Sequence, residues 1–143
     1  MLIAHVLRDK GSDVHTISSA ISLEEAAREL HAKKVGAIVV IGEEGEVAGV
    51  LSERDIVREV ARRGGGSLGD PVSSAMTRSI ITAALNETID DGLARMTDRR
   101  VRHLPVVEGG RLVGIVSIGD LVKHRIAAAE SVVAAMEAYI TTH

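Results

Sequence analysis

The chain has 143 residues, of which 45% are hydrophobic, and a formal net charge of −3, so it suits one compact domain or two small halves that share a core. Phe and Trp are absent, which removes the aromatic stacking platforms of single-strand binders, and the negative charge gives no general attraction to a polyanion. The absence of Cys excludes disulfides, a thiolate nucleophile and Cys-ligated zinc. Nucleic acid is therefore a poor candidate partner.

The distribution of apolar residues predicts a soluble protein with no membrane partner. Residues 1–10 contain no basic segment followed by a long apolar run, so they do not resemble a signal peptide. The apolar runs elsewhere are too short to cross a bilayer. We expect a cytoplasmic protein.

The first half of the chain predicts a leading helix, a strand, a helix, a hairpin and a closing helix. Ser22, with Glu25 three residues on, is typical of a helix start, because such a pair satisfies free amides of the first turn. The β-rich runs 37–41 and 47–51 flank a glycine-containing turn and predict the hairpin. The closing helix is expected after Asp55.

The second half repeats the first, which is the strongest signal in the sequence. A shift of 66 positions lays Thr16 on Thr82 and Ser22 on Thr88, and after the hairpin turn a shift of 65 lays Asp55 on Asp120. The glycine-rich stretch 64–67 is the expected linker. The order strand, helix, hairpin, helix, written twice, predicts an α+β fold with a first repeat at 1–66, a second at 67–127 and a C-terminal helix at 128–143.

Two stretches that end the repeats, Gly49-Val-Leu-Ser-Glu-Arg-Asp55 and Gly114-Ile-Val-Ser-Ile-Gly-Asp120, resemble the signature of the CBS domain family. The segment 101–107 is similar to a second landmark of that family, and residues 3–7 echo residues 72–76 as leading segments. The resemblance extends from Ile3 to about Ala127. It implies tandem CBS repeats packed about a pseudo-twofold axis, with two symmetry-related clefts between them.

The resemblance also implies a function: a non-catalytic sensor module that binds an adenosine-containing nucleotide in the inter-repeat clefts. AMP, ADP, ATP and NAD(H) are the expected ligands, and S-adenosylmethionine ranks behind them. By resemblance, each cleft takes its Ser and Asp from one repeat and its threonine and strand edge from the other. One implied site comprises Thr16, Val35, Gly36, Ala37, Arg102, Ser117 and Asp120, and the other comprises Thr82, Val101, His103, Ser52, Arg54 and Asp55.

The chemistry of these residues supports nucleotide binding but leaves a simpler interpretation open. A carboxylate at a helix start can accept hydrogen bonds from both ribose hydroxyls, and helix-start amides favour a phosphate. Asp55 and Asp120 are equally compatible with helix capping alone. Gly36 and Ala37 leave more room for adenine than Arg102 and His103 do, so we expect the Asp120 cleft to bind the base and the two clefts to differ in affinity.

Enzymatic and metal-dependent functions lack a supporting pattern. The six histidines show no His-x-x-x-His spacing and no neighbouring carboxylate cluster, so no metal site is predicted. Ser52 and Ser117 lie in no nucleophile elbow, and the glycine-rich linker lacks the Gly-Lys-Ser/Thr ending of a phosphate loop. We therefore expect that the protein is not an enzyme.

The residues after the second repeat predict a contact between two copies of the chain. Ile126, Val132, Val133, Met136, Tyr139 and Ile140 lie at spacings that form one apolar stripe on a helix. The stripe can fold back on its own domain, but burial against a second chain is the favoured interpretation. We expect a homodimer that acts on an unknown regulated protein. The alternatives are a constitutive dimerisation scaffold with no physiological ligand, and an enzyme or nucleic-acid binder of similar form.

Overall fold

The computed structural model describes residues 1–11, 14–78 and 80–142, and the side chains of these residues up to Thr141. The chain forms two compact units. We call Asp13–Ile81 the repeat-1 unit, and Met1–Ser12 together with Thr82–His143 the repeat-2 unit. Each unit therefore contains one copy of the sequence repeat and a leading segment from elsewhere in the chain.

The repeat-1 unit is a three-stranded sheet with two helices. Its elements are β1 (Thr16–Ser18), α2 (Leu23–Lys33), β2 (Ala37–Ile41), β3 (Val47–Ser52) and α3 (Glu53–Arg63), followed by 3₁₀ turns at Gly65–Gly69 and Val72–Ser74. The sheet order is β1-β2-β3, with β1 parallel and β3 antiparallel to β2. The predicted strand, helix, hairpin and helix of the first repeat are all present.

Apolar periodicity explains the core of the repeat-1 unit. Strand β2 directs Ile38 and Val40 to one face, where they meet the helical face of α2, because side chains alternate along a strand and recur every three to four residues along a helix. Ser22 accepts a hydrogen bond from the amide of Glu25 at 3.1 Å and starts α2 as predicted. The buried core comprises Ile17, Leu23, Ala26, Leu30, Ile38, Val40, Leu51, Val72, Ala75 and Met76.

The repeat-2 unit has the same order of elements but a smaller sheet. It contains α1 (Ile3–Lys10), α4 (Ile89–Arg99), β4 (His103–Glu108), β5 (Arg111–Ser117) and α5 (Ile118–Thr142), and β4 pairs with β5 antiparallel. The prediction of a leading strand was wrong for this repeat, where Ala83 forms a single parallel bridge to Val106. The buried side chains of this unit include Ile3, Val6, Leu7, Ala83, Ile89, Met96, Leu104, Val106, Val116 and Leu121.

The leading segments explain why both repeat signatures contain a glycine. In the repeat-1 unit, Thr77 pairs with Val50, and a Cβ added to Gly49 would lie 2.4 Å from the Thr77 carbonyl oxygen. In the repeat-2 unit, a Cβ on Gly114 would lie 2.7 Å from Leu7 of helix α1. Each signature glycine therefore lies beneath a leading segment that packs directly on its strand.

Two further sequence expectations change in the structure. The glycine-rich stretch 64–67, expected to be a linker, runs into the 3₁₀ turn Gly65–Gly69, and the buried Ser67 hydroxyl donates to the Gly64 carbonyl at 2.7 Å. The closing helix of the second repeat and the C-terminal helix predicted at 128–143 form one element, α5. Among the residues that the structure describes, no helix combines the length and apolarity needed to span a membrane.

Candidate functional site

The Ser and Asp of each repeat signature form a reciprocal cap at the start of a helix. At α3, the Ser52 hydroxyl accepts from the Asp55 amide at 3.2 Å, and Asp55 Oδ2 accepts from the Ser52 amide at 2.8 Å. At α5, the corresponding distances between Ser117 and Asp120 are 3.0 and 2.9 Å. The capping interpretation is confirmed for both aspartates. A capping carboxylate still has lone pairs for a ligand, so the two roles are compatible.

Asp55 is buried and fully engaged within its own helix. Its side chain is 7% exposed, and Arg58 Nη2 donates to Oδ1 at 2.5 Å while Oδ2 accepts from the Ser52 amide. Both carboxylate oxygens therefore have partners from one turn of α3. Arg54, the basic residue of this signature, is exposed.

Asp120 has a different partner and greater exposure. Its side chain is 26% exposed, and Lys10, the last residue of α1, donates from Nζ to Oδ2 at 2.6 Å and to the Ile115 carbonyl at 2.8 Å. Burial acts to raise the pKa of Asp120, but hydrogen bonds from Lys10 and Ser117 outweigh it and hold the pKa below its usual value. Asp120 is thus an ionised, partly exposed acceptor at neutral pH.

Two basic residues of the second repeat lie beside this carboxylate. His103 is paired with Ser117 across the β4–β5 ladder, and the Arg102 carbonyl accepts from the Ile118 amide at 2.9 Å. Burial, together with the charges of Lys10 and Arg102, lowers the pKa of His103 against the opposing effect of Asp120. His103 is therefore neutral at pH 7, whereas Arg102 is an exposed cation.

The predicted adenine edge of the first repeat is short and open. The Val35 amide donates to the Leu30 carbonyl at 3.1 Å, and the Gly36 carbonyl accepts from the Glu53 amide at 2.9 Å. Gly36 is exposed, and a Cβ built on it would meet no atom within 4 Å. Thr16, on the neighbouring strand, is also exposed and pairs with Val39.

The equivalent edge of the second repeat is fixed by an ion pair. Arg95 Nη1 donates to the carbonyl of Thr82 at 2.9 Å, and the same guanidinium pairs with Glu87. The hydrogen bond from Arg95 lowers the pKa of Glu87 despite partial burial, so the pair is ionised. Val101 follows a left-handed Arg100, and its amide donates to the Met96 carbonyl at 3.0 Å.

The structure brings the predicted residues together within each repeat. Ala37 pairs with Ser52 in the repeat-1 unit, as His103 pairs with Ser117 in the repeat-2 unit. The combination of residues from different repeats, which the family resemblance implied, stays a prediction. The repeat-1 unit contains Thr16, Val35, Gly36, Ala37, Ser52, Arg54 and Asp55, and the repeat-2 unit contains Thr82, Val101, Arg102, His103, Ser117 and Asp120.

Sequence reasoning missed Lys10 and Arg58, the two cations that hold the signature aspartates. Lys10 is separated from Asp120 by 110 residues, and the shift of 69 that relates the leading segments places Ser79 at its counterpart, so the repeat gave no signal. Arg58 could have been found, because it lies three residues after Asp55 on a predicted helix. Within the described part of the chain, no three His, Asp or Glu residues are grouped as metal ligands would be.

Comparison with known protein families identifies both repeats. The model of the CBS domain matches residues 7–62 and 72–127. A 17.7 kDa protein of Acidianus ambivalens is 33% identical over 111 residues, and the mitochondrial CBS domain-containing protein CBSX3 of Arabidopsis thaliana is 31% identical over 129 residues. These alignments cover 77% and 85% of the chain, which spans 66% and 63% of the two relatives, slightly less than two thirds of either.

Solved structures share the fold. The CBS-domain containing protein ATU1752 of Agrobacterium tumefaciens is 47% identical, with a TM-score of 0.84, over 87% of this chain and 92% of its own. PAE2072 of Pyrobaculum aerophilum, solved with AMP, is 28% identical, with a TM-score of 0.75, over 84% and 89%. The domain pair of MJ0100, solved with 5′-methylthioadenosine and S-adenosyl-L-methionine, is 26% identical, with a TM-score of 0.75, over 91% and 98%. The predicted family and fold class are confirmed.

Proposed function

Because this chain belongs to the CBS domain family, we propose that it is a non-catalytic regulatory module that binds an adenosine-containing nucleotide. The bound molecules of PAE2072 and MJ0100 support the ligand class, since AMP, 5′-methylthioadenosine and S-adenosylmethionine all contain adenosine. Regulation requires that the ligand bind two states of the protein with different affinity.

The observation that carries the proposal is the ionised, partly exposed carboxylate of Asp120. An ionised carboxylate is a pure acceptor with room for several hydrogen bonds, which suits the two adjacent hydroxyls of a ribose. The Ser117 oxygen accepts from the Asp120 amide, and the hydroxyl hydrogen remains able to donate to a ligand oxygen. We assign Asp120 and Ser117 to the sugar and its adjoining phosphate.

Basic side chains near Asp120 provide for the phosphate. Lys10 lies against the carboxylate, and Arg102 is exposed beside the paired residues His103 and Ser117. A guanidinium binds phosphate through a fixed fork of donors, and an ammonium binds it as a mobile point charge. We assign Arg102 and His103 to phosphate contacts, which makes AMP, ADP, ATP and NAD(H) the expected ligands. The family resemblance implied that His103 belongs to the other cleft, and we propose it for this site instead because it pairs with Ser117.

The adenine is assigned to the strand edge formed by Val35, Gly36 and Ala37, with Thr16 beside it. The openness of Gly36 supports the assignment, since a flat ring needs a surface without a projecting side chain. The remaining residues of the second predicted set, Ser52, Arg54, Asp55, Thr82 and Val101, would form a weaker site. Its carboxylate is 7% exposed and already held by Arg58, so a ribose must displace a partner from the same helix.

Calorimetry with AMP, ADP, ATP, NAD, NADH and S-adenosylmethionine tests the proposal. We expect one dominant site per chain for a phosphorylated ligand, and loss of its binding heat in Asp120→Ala. The matched control is Asp55→Ala, which should retain the dominant site. Normal affinity in Asp120→Ala would reject this site, and the absence of heat with every ligand would favour the constitutive scaffold. Recovery of intact ligand after long incubation checks that the protein does not turn it over.

Helix α5 supports a homodimer as the form in which the module acts. Its exposed apolar side chains include Val122, Ile126, Val133, Met136 and Ile140, and with Ala129 they follow one another at spacings of 4, 3, 4, 3 and 4 residues. This is the spacing of a coiled-coil seam. The other predicted members of the stripe, Val132 and Tyr139, flank the seam.

Charge favours a second copy of α5 as the occupant of this seam. In a parallel coiled coil, a residue at the edge of the seam in one helix lies near the edge residue five positions later in the partner helix. This places Arg125 of one copy near Glu130 of the other. The twofold symmetry of a homodimer produces this attraction twice. Within its own unit, Arg125 pairs with Asp90 at 3.1 Å, and both side chains are exposed.

Light scattering across a range of protein concentrations tests the dimer. Met136→Glu places a charge in the seam and should give a monomer, whereas the matched control Ala134→Glu, on the opposite side of the helix, should remain a dimer. A monomeric parent chain at all concentrations would reject the homodimer. Equal dissociation in both variants would place the contact elsewhere.

A further inference from the structure

Lys10 is hydrogen-bonded to one of the two Asp120 carboxylate oxygens that a ribose would need. Its ammonium donates to Asp120 Oδ2, which also accepts from the Ser117 amide at 2.9 Å. Within the described residues, no group donates to Asp120 Oδ1. A ribose that uses both oxygens of the carboxylate therefore finds Oδ1 available and Oδ2 held by Lys10.

The lysine is well placed to move between two anions. It is the last residue of α1, its side chain is 36% exposed, and its second contact is a neutral carbonyl, that of Ile115. A lysine carries a compact charge on a flexible four-carbon stem, so its ammonium can turn towards a phosphate with little change at the helix. If the Lys10 ammonium leaves Asp120 and no other anion receives it, a charge-assisted hydrogen bond is lost and its energy is not recovered.

We propose that Lys10 sets the ligand class of the Asp120 site, by releasing Oδ2 to the ribose only when a phosphate on the same ligand takes up its ammonium. This inference rests on the proposed function, since it assumes that Asp120 binds the sugar. It predicts selection of 5′-phosphorylated nucleotides over neutral nucleosides. It also predicts rejection of S-adenosylmethionine, whose sulfonium replaces the phosphate with a positive charge.

The local charges agree with this selection. Lys10 and Arg102 both contribute to the lowered pKa of His103, after the larger effect of burial, which shows that their charges reach the same region. Two cations and the single carboxylate of Asp120 therefore act on the region around His103, a balance that favours an added dianion over an added cation. In the repeat-1 unit, the cation that holds Asp55 is Arg58. It lies on the same helix as Asp55 and donates to Oδ1 through a short hydrogen bond.

Calorimetric titration of the intact protein with AMP, adenosine and S-adenosylmethionine tests the role of Lys10. In Lys10→Met, we expect AMP to bind more weakly and adenosine more tightly, so that the ratio of the two affinities falls about tenfold or more, the worth of one charge-assisted hydrogen bond. Lys10→Arg keeps the charge and should keep most of the preference for AMP. Thermal unfolding of each variant checks that the fold is intact.

The outcomes separate this inference from the proposed function. An unchanged ratio of AMP to adenosine affinity in Lys10→Met would overturn the role of Lys10, even where Asp120→Ala abolishes binding of both ligands. Equal loss of both ligands in Lys10→Met would also overturn it, because a purely structural lysine affects them alike. Retained AMP affinity in Asp120→Ala, or no binding to the parent chain, would overturn the proposed site and this inference together.

Discussion

The starts of helices α3 and α5 share one sequence pattern but present their carboxylates differently. Both have a Ser and an Asp that cap each other reciprocally. Asp55 is 7% exposed and held by Arg58 of its own helix, whereas Asp120 is 26% exposed and held by Lys10 of α1. The repeated motif thus specifies the cap, and the cation that it meets decides whether the carboxylate is accessible to a ligand.

The leading segments show a second difference between the repeats. Helix α1 covers Gly114 with the side chain of Leu7, whereas the extended segment after Val72–Ser74 covers Gly49 with a backbone carbonyl. The equivalent glycines therefore have different neighbours: Gly114 lies against a side chain that can move, and Gly49 lies against backbone that cannot move without disturbing the strand pairing.

Alanine at the two signature glycines should affect the repeats unequally. Gly49→Ala places a Cβ 2.4 Å from the Thr77 carbonyl oxygen, so the backbone pairing of Thr77 with Val50 must shift, and we expect a loss of about 3 kcal/mol in the free energy of unfolding. Gly114→Ala meets only the end of the Leu7 side chain, at 2.7 Å, and should cost about 1 kcal/mol. Urea unfolding measures both, and equal losses would contradict the contrast.

Removal of the signature aspartates should separate stability from binding. Asp55→Ala removes a buried carboxylate and leaves the Ser52 amide without its hydrogen-bond acceptor. We expect a loss of about 2 kcal/mol in the free energy of unfolding. Asp120→Ala removes a more exposed cap, where water replaces the carboxylate, and should cost about 1 kcal/mol. Ligand affinity should show the opposite order, with the larger loss in Asp120→Ala.

The measurement pairs urea unfolding with AMP titration for both variants. Arg58→Met serves as a control for Asp55→Ala, because it removes the exposed cation and keeps the buried carboxylate and the reciprocal cap. It should therefore be less destabilising than Asp55→Ala. Should Asp55→Ala abolish AMP binding while Asp120→Ala retains it, the assignment of the dominant site would be reversed.

The sequence predicted the repeat and its elements because these depend on local patterns. The pair of Ser22 and Glu25 marked the start of α2. The repeat placed Thr88 at the equivalent position of α4, where its hydroxyl accepts from the Asp91 amide at 3.0 Å. The family signature then identified Ser117 and Asp120 as candidate ligand residues. Those assignments needed only residues close together in the chain.

The surroundings of the site could not be predicted in the same way. The contact between Lys10 and Asp120 joins residues 110 positions apart, and neither residue type indicates the other. The sequence also gave no reason for the second repeat to lose its leading strand, since Thr82 aligns with Thr16. In the structure, the Thr82 carbonyl accepts from Arg95 instead of remaining available for a longer strand pairing. Both features involve contacts between residues that are distant in the chain, and a local pattern does not contain such contacts.

The smallest expected effect concerns His103, which has Ala37 as its counterpart in the first repeat. Burial and the charges of Lys10 and Arg102 lower the folded-state pKa of His103, so the unfolded chain takes up its proton first as the pH falls. Stability should therefore decrease as the pH falls from the pKa of His103 in the unfolded chain, about 6.5, towards its value in the folded protein.

His103→Gln removes this titration, so the parent chain should lose stability relative to that variant between pH 8 and pH 5. Ala37→Ser should leave the dependence of stability on pH unchanged. A saturating concentration of AMP should reduce the difference, because a phosphate beside His103 favours its protonated form, and a slope that AMP leaves unchanged would place the phosphate away from this histidine.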